Sequence, residues 1–169
     1  DMSLVLDSLA AIEIAVPELA GRIDSNYAAV AGHSFGGMIA MVKSGLEIKA
    51  SEQDPAVVFS DSRFRAAVIM SGVGQMEQMT DTAFSGLTRP LFASGGTLDT
   101  GNIGTGETYP WQWRMSPYTL APPGDKYSLV LDKADHYLGG QICRDNKGGP
   151  DDSEGARVVR AANLAFLDA

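Results

Sequence analysis

The apolar positions alternate between two patterns along the chain. Residues Met2 to Val16 carry Leu4, Val5, Leu9, Ile12 and Val16 at spacings of three and four, which predicts an amphipathic helix starting near Asp1 or Ser3. Pro17 and Gly21 fall in the turn after it. A short continuous apolar run, Tyr27 to Ala31, then predicts a buried strand. It passes through Gly-His-Ser-Phe-Gly-Gly (32–37) into a second helix reaching about Ser44, with Gly45 as its stop.

Three further runs predict buried strands: Phe64 to Gly72, Arg89 to Gly96 and Lys126 to Asp132. Ser116-Pro117 reads as an N-cap followed by proline at the first helical position. A last helix begins near Asp151-Asp152-Ser153-Glu154, where acidic residues suit the helix dipole, and is expected to bury Val158, Val159, Ala162 and Phe166. Continuous apolar strands alternating with helices predict a mostly parallel α/β sheet. No repeat, low-complexity tract or second domain is evident, so residues 1–169 read as one domain.

Composition adds exclusions. The chain has 169 residues, 44% hydrophobic and 20% charged, and a formal net charge of −8. Its Lys and Arg form no stripe, which argues against a nucleic-acid partner. No apolar run approaches the ~20 residues of a membrane span, and no signal-peptide pattern opens the chain. The single cysteine, Cys143, excludes an internal disulfide and leans toward a reducing compartment such as the cytoplasm, without excluding export. Cys143 itself has nothing nearby in sequence that would make it a nucleophile. Asp151, Asp152 and Glu154 lack EF-hand spacing, and no phosphate loop or dinucleotide fingerprint occurs, so neither metal nor cofactor is expected.

The candidate chemistry centres on Ser34. A Gly-x-Ser-x-Gly string between strand and helix matches a nucleophile elbow, a strained turn that lifts Oγ above the sheet. Gly32 and Gly36 are expected to be glycine because a side chain at either would crowd the turn, and Gly37 to allow close helix–strand approach. The backbone N–H of Phe35 would be one oxyanion donor. The bland alternative is a glycine-rich turn whose serine only caps the helix. Of the two histidines, His33 is adjacent to Ser34 and points away from its Oγ, so it reads as packing. His136 follows the fourth strand and can reach Ser34 across the rim formed by the strands' carboxyl ends. Asp99, after the third strand, is favoured over Asp132 and Asp135 as the carboxylate that orients His136. Asp61 lies at the wrong end of the sheet.

With Ser34, Asp99 and His136 in this order, the chain resembles the α/β-hydrolase superfamily. The stretches GRID…YAAVAGHSFGG and PLFASGGTLD are similar to those of serine esterases of the dienelactone-hydrolase-like, platelet-activating-factor-acetylhydrolase-like and cutinase-like groups. The resemblance implies a three-layer fold of which this chain supplies the C-terminal part, and a cofactor-independent esterase acting on small to medium carboxylic esters through an acyl-enzyme on Ser34. In that superfamily the stretch between acid and base often shapes the substrate pocket, so Trp111, Trp113 and Tyr118 are expected either to line the pocket or to cover the core. The resemblance also implies that strands normally preceding the elbow, and the second oxyanion donor carried by them, are missing. The chain opens on Asp1 rather than Met, consistent with a processed or shortened product. The elbow strand is then expected at a bare sheet edge, covered by an N-terminal segment or a second copy. Alternatives within the same fold are a peptidase or acyltransferase. A further alternative is an impaired hydrolase serving as an assembly or binding module.

Overall fold

The computed structural model describes residues 2–49, 51, 53–77, 79–102, 108–138 and 153–169. Cys143, Asp151 and Asp152 therefore lie outside the described residues. The chain is of the α/β class. Its central sheet holds β1 (Ala28–His33), β4 (Phe64–Met70), β5 (Leu91–Gly96) and β8 (Lys126–Leu131), in the order β1-β4-β5-β8. All three pairings are parallel. Two short antiparallel ribbons stand apart from it: β2 (Glu47–Ile48) with β3 (Val57–Val58), and β6 (Gly101–Asn102) with β7 (Thr108–Tyr109).

Period-two alternation assigns the faces. On β4 and β5, Ala67, Ile69, Leu91 and Ala93 join Met41 and Val42 of α3 (Phe35–Ser44) in the main core, together with Val30, Phe84 and Leu87. The intervening Phe92 points the other way and stacks on Phe166 of α5 (Ser153–Leu167), with ring centroids 5.7 Å apart. Asn163 of α5 likewise reaches the Met70 sulfur at 3.7 Å. The sheet thus carries α3 on one face and α5 on the other. β5, buried at all six positions, is the centre of the molecule.

The strand ends differ by a residue or two from those read in the sequence. Three differences have physical causes. The first helix is broken at Ser8 into α1 (Met2–Asp7) and α2 (Leu9–Ala15). Met2 and Leu6 are the side chains packed on the core, while Leu4, Val5 and Val16 face outward. Ser116 does not cap the short α4 (Ser116–Thr119). Its hydroxyl instead donates to the Trp113 carbonyl at 2.7 Å and accepts from the Gln75 N–H, joining two loops. In α5 only Val159 of the four expected residues is fully buried; Val158, Ala162 and Phe166 are half-buried.

β1 occupies one edge of the sheet, and among the described residues it pairs only with β4. Ala29 and Ala31 are exposed on it, and Val30 is its one fully buried side chain. No helix among the described residues is long and apolar enough to cross a membrane.

Candidate active site

Parallel strands deliver their carboxyl ends to one rim, and four chemistry-bearing segments meet there. Ser34 follows β1 directly. Its N–H extends the ladder to the Met70 carbonyl at 2.9 Å, and its own carbonyl accepts the first helical bond of α3, from Met38, at 3.2 Å. The chain reverses within this single residue, which takes φ 57° and ψ −120°. A non-glycine residue with positive φ costs free energy, so the surrounding turn must hold it there. Gly32 is part of that hold: a Cβ on it would lie 2.0 Å from the Gly36 carbonyl oxygen. Gly36 is different. A Cβ there meets nothing within 4 Å, so the expected crowding at this position is corrected: its Cα faces open space on the first turn of α3. Gly37 sits against the Gly72 Cα at a tight 3.2 Å from where its Cβ would be, which lets helix and sheet close up.

Asp99 and His136 are brought together by zipping the loops after β5 and β8. Thr97 N–H donates to the Leu131 carbonyl at 3.0 Å, and Leu98 N–H to the Ala134 carbonyl at 2.9 Å. The Lys133 N–H donates back to Thr97 Oγ1 at 2.7 Å. A turn closed by the Asp99 N–H on the Gly96 carbonyl leaves Leu98 outside and swings Asp99 inside, where it is 1% exposed. His136 Nδ1 then lies 2.8 Å from Asp99 Oδ1. A carboxylate oxygen accepts, so Nδ1 carries the proton and Nε2 keeps a lone pair. The competing carboxylates are occupied elsewhere. Asp132 accepts from Thr97 Oγ1, Asp135 accepts from the Tyr137 N–H, and Asp61, before β4, is paired with Arg63.

Ser34 and His136 line one cleft of about 680 Å³, together with Phe35, Met38, Val73, Met76, Thr100 and Arg114. No hydrogen bond joins Ser34 to His136 among the described residues; such bonds are often loose until substrate is bound. The Phe35 N–H opens α3, where backbone donors have no intrahelical acceptor, so it is free to face an anion. Phe35's ring is exposed at the mouth of the cleft.

Trp111, Trp113 and Tyr118 are not among the residues lining this cleft. Trp113 is turned into the protein. Its Nε1 donates to the Gln75 carbonyl at 2.6 Å, and its ring stacks on Tyr109 at 4.9 Å. Trp111 is half-buried, and Tyr118 lies exposed on α4. Two polar participants were not foreseen in these roles. His33 is more than packing: its Nε2 donates to the His136 backbone carbonyl at 2.8 Å, with ring centroids 4.6 Å apart. Burial is the main cause holding His33 below the ordinary histidine value, with the bond to His136 opposing it. Arg114, only 7% exposed, donates from Nε to the same Asp99 oxygen at 3.1 Å. Burial lowers it from the ordinary arginine value and the Asp99 charge opposes that. The sequence signal was a cation inside the aromatic run Trp111-Gln112-Trp113-Arg114-Met115.

Among the described residues no cluster of His, Cys, Asp and Glu could hold a metal ion. Compared with known proteins, the chain matches no protein-family model and no curated protein.

Proposed function

We propose that the chain is a serine carboxylic-ester hydrolase of the α/β-hydrolase type, acting on small to medium esters. The observation that carries this reading is the Asp99–His136 hydrogen bond set in the same cleft as a serine held at positive φ on a helix N-terminus. In this reading Ser34 Oγ attacks the ester carbonyl carbon while His136 Nε2 takes its proton. Asp99 stabilises the resulting imidazolium, and the Phe35 N–H faces the oxyanion. Collapse of the tetrahedral species breaks the bond to the alcohol, which leaves with the proton from His136. Water, deprotonated by His136, then releases the acid from Ser34. Phe35, Met38, Val73 and Met76 make the cleft walls mostly apolar, which suits an uncharged acyl or alkyl group. A peptidase or acyltransferase would use the same groups, since they do not choose the leaving group.

The edge position of β1 favours a second reading, a module whose open strand takes a partner. Hydrolysis of p-nitrophenyl acetate and butyrate by the wild type and by Ser34→Ala separates the two. A serine esterase loses at least about 10³-fold in kcat, with a melting temperature within a few degrees of wild type. Equal rates for the two proteins remove Ser34 from the mechanism.

A further inference from the structure

Arg114 lies in the wall of the cleft, where a buried guanidinium invites reading as a subsite for an anionic substrate. Its hydrogen bonds argue otherwise. Of the five N–H groups of an arginine, Nε is given to Asp99 Oδ1 at 3.1 Å and Nη1 to the carbonyls of Ser71 and Gly72, each at 3.2 Å. Nη2 reaches the Thr100 carbonyl at 3.4 Å. Its guanidinium carbon also lies 5.1 Å from the Trp113 ring centroid. A guanidinium so committed has little left for a ligand. What it does hold is one carboxylate and the three loop carbonyls around it.

The sharing at Asp99 is asymmetric. His136 Nδ1 and Arg114 Nε both converge on Oδ1, while Oδ2 is buried without a hydrogen-bond partner among the described residues. A carboxylate bonded through one oxygen only would be free to turn about its last bond. The second donor on Oδ1, anchored to Ser71, Gly72 and Thr100, removes that freedom and keeps Oδ1 under the imidazole.

We propose that Arg114 is a positioning residue of the site: anchored to three loop carbonyls, it holds the Asp99 carboxylate with Oδ1 toward His136. This rests on the serine-hydrolase reading for its catalytic consequence, but not for its effect on the Asp99–His136 hydrogen bond. The other polar or titratable groups around the imidazole do not replace it. His33 is held below the ordinary histidine value, and packs from β1 against the His136 carbonyl. The Tyr137 ring stands edge-on to His136 at 5.7 Å, and Asp135 is engaged by the Tyr137 N–H.

The test combines NMR of the histidine ring N–H protons with ester hydrolysis, in wild type, Arg114→Gln and Arg114→Lys. The chain has two histidines, so His33→Gln assigns the signals. The wild type shows a downfield His136 Nδ1–H resonance from its bond to Asp99, and in Arg114→Gln that resonance is lost or broadened as the carboxylate turns. Arg114→Lys keeps the charge and loses the fork, so the resonance weakens there too. Both variants lose roughly tenfold in kcat, with KM within about twofold, as expected when an oriented group is lost from the transition state alone. A wild-type Nδ1–H resonance in Arg114→Gln overturns the proposal, as does wild-type kcat in Arg114→Lys. Should Arg114→Gln not fold, the resonance and kcat of Arg114→Lys against wild type decide. If the wild type hydrolyses no ester, the resonance still decides the role of Arg114, and only the esterase reading falls.

Discussion

Asp99→Asn is the most searching perturbation of the site, because the side chain answers to two donors and has no room to relax. It is almost fully buried, and His136 and Arg114 both bond its Oδ1. Asparagine offers one acceptor and one NH2. If its oxygen takes the Oδ1 position, both donors remain satisfied, but the NH2 occupies the Oδ2 position, which has no partner among the described residues. Oδ2 already has no partner among the described residues in the wild type, so the new cost is chiefly the lost charge on the bonds from Arg114 and His136, about 1–3 kcal/mol. If it flips, its NH2 faces the Arg114 N–H and the His136 Nδ1–H, which is worse. The first arrangement is therefore expected, and stability falls by roughly that amount. At about 2–4 °C per kcal/mol for a chain of this size, melting drops by roughly 2–12 °C.

On the serine-esterase reading the catalytic loss is larger and has a different origin. In the transition state the imidazolium faces a neutral amide, with the Arg114 cation behind it. Opposite charges ~4 Å apart interact by about 4 kcal/mol at an effective dielectric of ~20. His136 is partly open to solvent, its side chain 27% exposed, which screens some of this. A loss of about 3–4 kcal/mol corresponds to a 10²- to 10³-fold fall in kcat. The assay is p-nitrophenyl acetate hydrolysis at pH 8, with KM measured separately and folding checked by near-UV circular dichroism. A folded Asp99→Asn protein with kcat within about threefold of wild type refutes the assignment of Asp99 to His136.

The two glycines flanking Ser34 should behave oppositely. Gly32→Ala drives a Cβ into the Gly36 carbonyl and is expected to yield little folded protein. Gly36→Ala places a methyl in open space on the helix and gains helix propensity, raising melting by a couple of degrees, or about 0.5–1 kcal/mol; scanning calorimetry reads both. His33 introduces a pH dependence. A histidine held below its ordinary value binds its proton less readily folded than unfolded, so its contribution to stability is lost as pH falls through about 6.5. Melting of the wild type between pH 7.5 and 5 should fall more steeply than that of His33→Gln, and parallel curves would remove His33 from this role.

What the sequence disclosed, and what it withheld, follow from range. The turn at Ser34 is local: the hydrophobic period changes from strand to helix across residues 32–37, so its place could be read directly. Asp99 and His136 are far apart in sequence, yet both lie a few residues beyond strands that a parallel sheet brings to one rim. Strand order was not needed to pair them. Arg114 had no such handle. Its partners Ser71, Gly72, Asp99 and Thr100 lie 14 to 43 residues away, and nothing in the local pattern says which way its side chain turns. The aromatic residues beside it stayed open between pocket and core for the same reason, and Trp113 serves the Gln75 carbonyl rather than the cleft. The first helix was legible only in part: Leu9 and Ile12 of its apolar set are half-buried, but the break at Ser8 leaves Leu4 and Val5 outward.

The parallel register is also the ruler by which Ser34 is placed. His33 lies opposite Met70, and Met70 opposite Ser94. A slip of β1 by one residue would carry Ser34 along the sheet by about 3.3 Å and turn every side chain of the strand to the other face. Most of β1 is alanine and glycine, which mark position poorly; Val30, sealed in the core, is the tooth that indexes the strand. The address of Ser34 is thus written four residues upstream, in an aliphatic side chain that is not among the residues lining the cleft.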